Sequence, residues 1–339
     1  MVVAFADSTT AGRALFRQRF ASPVRLDCDG RVRPDLAAAW SRDSSDRYWT
    51  LSLRDGADAA ALTSAWRSRP AALRLAGIES VVPLDDRRVV IGFARPSPTA
   101  PDALADTALA APREPAPRRV VVAAPPADDP RDQLDRDADA VETDDPGVLD
   151  YARRRADRTI VPLPWSRSYL LLLPASWPAF DRVVGADSAG FRQALAQDAV
   201  HADARGAAGP RWWEAALGCG PPREPAPARR SSAVVYPLGE RTARALAERI
   251  VALAAEPGVA ARGLEPAALA AALRAGSERA YVLQVSLREP MPCRETASWP
   301  AGPAVVPLVD TRASLILRTT APALTVDYDG TLRAPDSQP

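Results

Sequence analysis

Between Tyr48 and Leu53 the chain alternates, Tyr48, Thr50 and Ser52 interleaving with Trp49, Leu51 and Leu53. That period of two predicts a strand over 48–53 buried on one face. Asp55-Gly56 supplies a turn, and the apolar spacing of Leu62 and Trp66 predicts a helix starting near Thr63 or Ser64. Upstream, Pro34-Asp35-Leu36-Ala37 predicts a short helical turn ending near Trp40. Apolar runs predict further strands at 2–5, 24–26 and 88–93, with a helix over 12–20 and a turn at Asp29-Gly30.

The second half carries stronger helical signals. Leu246, Ala247, Ile250, Leu253 and Ala254 fall on one face of a helix over 241–254. Pro266 suits the first turn of a helix over 266–275, and Gly276 its C-terminal cap. Six residues occur twice, as Pro112-Arg113-Glu114-Pro115-Ala116-Pro117 and Pro222-Arg223-Glu224-Pro225-Ala226-Pro227. Each copy precedes a strand (120–123, 233–236), a helix and a further strand, which predicts two β-α-β units behind stiff linkers. The first unit takes a helix at 129–134 and a strand at 138–142; the second closes at 281–285. Between them, 160–173 reads as one extended segment in which Trp165, Arg167 and Tyr169 share a face. A helix over 191–205 follows, with Arg211-Trp212-Trp213 expected to pack on it.

Composition narrows the function. A chain of 339 residues is long enough for two globular lobes. Its 43 basic residues are all arginine and are scattered among 42 acids. The net charge of +1 gives no electrostatic reason to expect nucleic acid or an anionic membrane as partner. The apolar run 169–173 is interrupted by Pro174 and is far shorter than the roughly 20 residues of a spanning helix. The N-terminal residues as written show no export signal, so the expectation is either a signal upstream of Met1 or a non-exported protein. Cys28, Cys219 and Cys293 match no zinc spacing. A Cys219–Cys293 disulfide suits an oxidising compartment, while three buried free thiols is the favoured expectation.

Catalytic constellations are sparse. His201 is the single histidine, set among polar residues, and no G-x-S-x-G elbow accompanies it. Asp135, Asp137 and Asp139 imitate the start of a calcium loop, but Ala140 and Pro146 stand where glycine and glutamate belong. Asp327-Tyr328-Asp329-Gly330-Thr331 resembles the D-x-D-G-T motif of haloacid-dehalogenase-type phosphatases. Its place near the end of the chain favours a hairpin turn instead.

One stretch carries a family likeness. Arg33-Pro34-Asp35-Leu36-Ala37-Ala38-Ala39-Trp40, then Tyr48 to Gly56, then Leu62-Thr63-Ser64-Ala65-Trp66 resembles P-x-L-A-x-S-W … Y-x-F-x-L-R-x-G … L-T-A-x-D-V of the family 5 extracellular solute-binding proteins. These are the peptide and nickel receptors of ABC importers. The likeness continues through Ile78, Ser80 and Val81, the strand at 88–93, and Phe191-Arg192-Gln193-Ala194-Leu195.

The resemblance implies an α/β, two-lobed periplasmic-binding-protein-like fold of type II with a small appended subdomain. Lobe I would take 1–30, 113–165 and 290–339, the subdomain 31–112, and lobe II 166–289. It implies a receptor without enzymatic activity or cofactor, binding a peptide-like or other small organic solute in an interlobe cleft and delivering it to an ABC permease. The receptor would be a monomer at the periplasmic or outer cell surface. The candidate ligand contacts are Trp165, Arg167, Tyr169, Tyr236 and Tyr281, with Arg167 meeting a ligand carboxylate; the alternative for Trp165 and Tyr169 is plain core. A degenerate receptor-like domain serving as a non-exported sensor or scaffold is the second reading, and a hydrolase the third.

Overall fold

The alternation at 48–53 is realised as the strand Tyr48–Leu53, with Trp49, Leu51 and Leu53 buried. The computed structural model describes the chain apart from residues 6–7, 113–121, 124–128, 137, 186, 209–211, 218–230, 288–292, 294–295, 301–302, 323, 329 and 334–339. Both copies of the six-residue repeat therefore lie outside the described residues, except Pro112. The described chain forms two compact units, 1–143 with 147–164 and 314–339, and 144–146 with 165–313.

In the first unit, Tyr48–Leu53 belongs to a four-stranded antiparallel sheet. Its order is Ala37–Arg42, Tyr48–Leu53, Arg88–Phe93, Ile78–Asp85. The helical turn expected near 34–40 is thus a strand. Its alanines favour helix by themselves, but pairing with Tyr48–Leu53 and burial of Asp35 beside Arg333 hold the backbone extended. The helix starting near Thr63 begins earlier, at Ala59, because Asp58 caps it by accepting from the N–H groups of Ala60 and Ala61. That helix buries Leu62 and Trp66, and the Trp66 indole N–H donates to the Leu109 carbonyl at 2.7 Å.

The same unit holds a five-stranded mixed sheet, ordered Val122–Ala123, Val2–Ala4, Ala140–Thr143, Ser314–Arg318, Arg158–Pro162. The first three strands run parallel, and Ser314–Arg318 is antiparallel to both its neighbours. Val141 and Ile316 meet Leu134, Val148 and Ala152 of the covering helices in its core.

The second unit is built on a six-stranded sheet. Its order is Asp203–Gly206, Ala304–Arg312, Arg167–Leu173, Ala280–Ser286, Ala233–Pro237, Ala260–Leu264. Arg167–Leu173 has both faces covered, which is why Leu170 to Leu173 read as an unbroken apolar run. Tyr169, Leu171 and Leu173 face the helices Pro178–Val184, Ser188–Asp198 and Arg241–Ala254, together with Val234, Tyr236 and Val282. Leu170 and Leu172 face Trp213, Trp299 and the helix Pro266–Ala275, together with Val235 and Tyr281. The helix expected over 191–205 ends at Asp198, because residues 203–206 pair as an edge strand with Ala304–Arg312. Trp213 accordingly packs on the opposite side of the sheet from that helix.

Two further expectations change. Residues 160–173 are two strands in two sheets, Arg158–Pro162 and Arg167–Leu173, separated by an irregular stretch that contains Pro164. The division expected at 290 falls instead between 313 and 314, since Ala304–Arg312 is zipped along Arg167–Leu173 inside the second unit. Among the described residues no helix is long and apolar enough to cross a membrane.

Candidate functional site

The tail motif resolves first. Thr325–Val326 pairs with Leu332–Arg333 in a hairpin, and Gly330 takes the positive φ its turn requires (φ 81). Asp327 is buried and accepts from Arg333 Nε at 2.7 Å, with Arg25 Nη1 at 3.5 Å. The two guanidinium groups tie this carboxylate, and with it the hairpin, to the strand that carries Arg25. Asp329 lies outside the described residues. Asp135 accepts from Tyr151, while Asp139 accepts from the Val2 N–H, so these two do not converge as calcium ligands; Asp137 is outside the described residues. His201 is exposed. No group of metal-ligating side chains forms among the described residues.

The cysteines correct an expectation. Cys293 is disulfide-bonded and Cys28 is an exposed free thiol, so the chain does not carry three buried thiols; Cys219 lies outside the described residues. Reduction is expected to lower the stability of the second unit by about 2–5 kcal/mol, read as a fall in the denaturation midpoint with dithiothreitol. An unchanged midpoint would show that the bond carries no stability.

Of the five expected ligand contacts, three are core. Tyr169 is 2% exposed, and its hydroxyl faces Gln284 Oε1 at 3.4 Å and the Glu240 side chain. Burial pushes its pKa well above the ordinary tyrosine value, so it stays a neutral donor. Tyr236 packs on the same sheet face as Tyr169. Tyr281 is fully buried on the other face, its hydroxyl donating to the Ala272 carbonyl at 2.7 Å and accepting from the Glu278 N–H. The five residues therefore do not share one face.

Trp165 and Arg167 remain partly exposed, where the chain enters the six-stranded sheet. Register sets Arg167 opposite Thr311, on the other side of the sheet from Ser168 and Asp310, and its Nη1 lies 3.7 Å from Asp144. Trp165 sits just before the strand, and its ring carries two guanidinium groups, Arg205 at 4.4 Å and Arg312 at 4.6 Å from the centroid.

Those arginines come from a pattern repeated in the sequence. Asp203-Ala204-Arg205 and Asp310-Thr311-Arg312 are both Asp-x-Arg, and the antiparallel pairing of their strands sets Asp203 against Arg312 and Arg205 against Asp310. Arg312 Nε donates to Asp203 Oδ2 at 2.6 Å, and Arg205 Nε to Asp310 Oδ2 at 3.4 Å. Asp310 is fully buried; burial raises its pKa from the ordinary aspartate value, opposed by the Ala208 N–H, Ser168 and Arg205. Sequence reading missed this group, because the two tripeptides become a signal only once their strands are known to be neighbours.

Comparison with known proteins adds the fold. No protein-family model and no curated protein matches the chain. Solved structures do. It is similar to a dipeptide-binding protein from Pseudoalteromonas sp. SM9913 in complex with Met-Leu (11% identity, TM-score 0.68, 98% of each chain covered). It is similar to NikZ from Campylobacter jejuni in complex with Ni(L-His) (12% identity, TM-score 0.67, 98% of this chain and 97% of that one). A third is a periplasmic oligopeptide-binding protein of Borrelia burgdorferi (11% identity, TM-score 0.64, 94% and 95%). These neighbours are binding proteins, and the likeness runs through nearly the whole chain. The chain is therefore an α/β protein with the periplasmic-binding-protein-like fold.

Proposed function

We propose that the protein is the substrate-binding receptor of an ABC importer, taking a peptide-like or other small organic solute and passing it to a permease without chemistry of its own. The observation that carries this reading is a likeness of 98% coverage in both chains to a dipeptide-binding protein in complex with Met-Leu, so both units have counterparts there. The family resemblance of residues 33–93 and 191–195 supports it independently of the fold.

We take Trp165 and Arg167, which stay partly exposed, as solute contacts, with the buried Tyr169, Tyr236 and Tyr281 as support for the sheet that carries them. The protein works outside the cytoplasm, which the Cys293 disulfide supports, since such bonds persist in oxidising compartments. Calorimetric titration with Met-Leu and a panel of di- and tripeptides tests the reading. Trp165→Leu and Arg167→Ala are each expected to weaken binding by about 2 kcal/mol with the fold intact. Unchanged affinity in both would move the site elsewhere, and no heat with any solute would remove the receptor reading.

A further inference from the structure

We propose that Arg205 and Arg312, pinned against Trp165, form the subsite that receives the carboxylate of the bound solute. This rests on the receptor reading and assigns the recognition to residues outside the expected set. Each guanidinium is tied at one edge only, Arg205 through Nε to Asp310 and Arg312 through Nε to Asp203. Among the described residues nothing engages the Nη atoms of either. Their side chains are 40% and 28% exposed, so the free edges reach solvent.

The free edges are also held in place. Asp310 has a side chain only 1% exposed, is bound by the Ala208 N–H at 3.0 Å, and lies opposite the buried Ser168, so it fixes Arg205 from below. The indole of Trp165 packs on both arginines. Arginine presents its N–H fork most effectively when a carboxylate and an aromatic ring have already restricted it.

Local charge selects the ligand class. Two arginines and two aspartates sum to zero, which disfavours a dianion such as phosphate and suits a group that needs hydrogen-bond donors more than net charge. A monoanionic carboxylate meets that description, and it pairs with guanidinium N–H groups bidentately. Arg167 is the competing candidate. It lies on the opposite sheet face and already has Asp144 beside it.

The test is calorimetry on the full chain with three probes, Met-Leu, Met-Leu C-terminal amide and succinate. The free acid is expected to bind at least about tenfold more tightly than the amide. That preference is expected to vanish in Arg312→Gln and in Arg205→Gln, and to survive in Arg167→Gln even where overall affinity falls. Near-UV circular dichroism checks that each variant is folded, and the acid–amide comparison on the unaltered protein stands even if a variant is not. Equal affinity for acid and amide, or loss of the preference only in Arg167→Gln, overturns the subsite and leaves the receptor reading in place. Absence of binding by all three probes overturns the subsite and the peptide-receptor reading together.

Discussion

Asp327→Ala is expected to destabilise the first unit by about 3–5 kcal/mol. The carboxylate is 2% exposed and bonds Arg333, whose side chain is only 10% exposed, with Arg25 at 3.5 Å. Asp35, itself buried, lies 3.6 Å from the same Arg333. Removing Asp327 takes from Arg333 and Arg25 a shared carboxylate in a site with little water, and an uncompensated buried charge costs more than a lost hydrogen bond. Chemical denaturation of the variant measures the loss. A double substitution, Asp327→Leu with Arg333→Met, is expected to cost less than the sum of the single changes, because it removes the ion pair as a unit. Strict additivity would show that the two side chains do not act together. A phosphatase nucleophile would behave otherwise, losing turnover with little loss of stability.

Trp177→Ala should cost the second unit about 3–5 kcal/mol. The indole is fully buried, stacks on Phe180 at 5.6 Å, and donates to Glu256 Oε2 at 2.7 Å. Glu256 also accepts from Arg279 at 2.9 Å, so the ring joins the apolar core to an ion pair. Truncation opens a cavity and removes the donor to a half-buried carboxylate in one step. Trp177→Phe keeps most of the volume and separates the two contributions: a cost near that of alanine assigns the effect to the hydrogen bond, a much smaller one to packing. Loss of Trp177 well below about 3 kcal/mol would mean the core relaxes into the space.

The contrast between elements read correctly and elements misread has a physical origin. The helices Arg241–Ala254 and Pro266–Ala275 were legible because everything that makes them is local. Leu246, Ala247 and Ile250 mark a buried stripe, Pro266 opens a helix, and Gly276 closes it in the left-handed conformation (φ 57). The strand Tyr48–Leu53 was legible because one face is core and the other is not. Ala37–Arg42 was misread because its strand character comes from a partner rather than from its alanines. The short strand Asp203–Gly206 was missed for the same reason, since its partner lies about a hundred residues onward.

What the sequence determined alone is the set of locally specified helices, the alternating strand at the centre of the family resemblance, and the emptiness of the usual catalytic motifs. Tertiary structure brought Arg25 and Arg333 to Asp327, which no spacing in the sequence foretells. It decided that Tyr169 and Tyr281 are core on opposite faces, because Arg167–Leu173 and Ala280–Ser286 are interior strands covered on both sides. It also made the candidate site: neither Asp-x-Arg tripeptide marks a site until antiparallel pairing turns them into two facing ion pairs beneath Trp165. Helix periodicity is written in residues three and four apart, whereas strand pairing and charge clusters depend on residues that only the folded chain brings together.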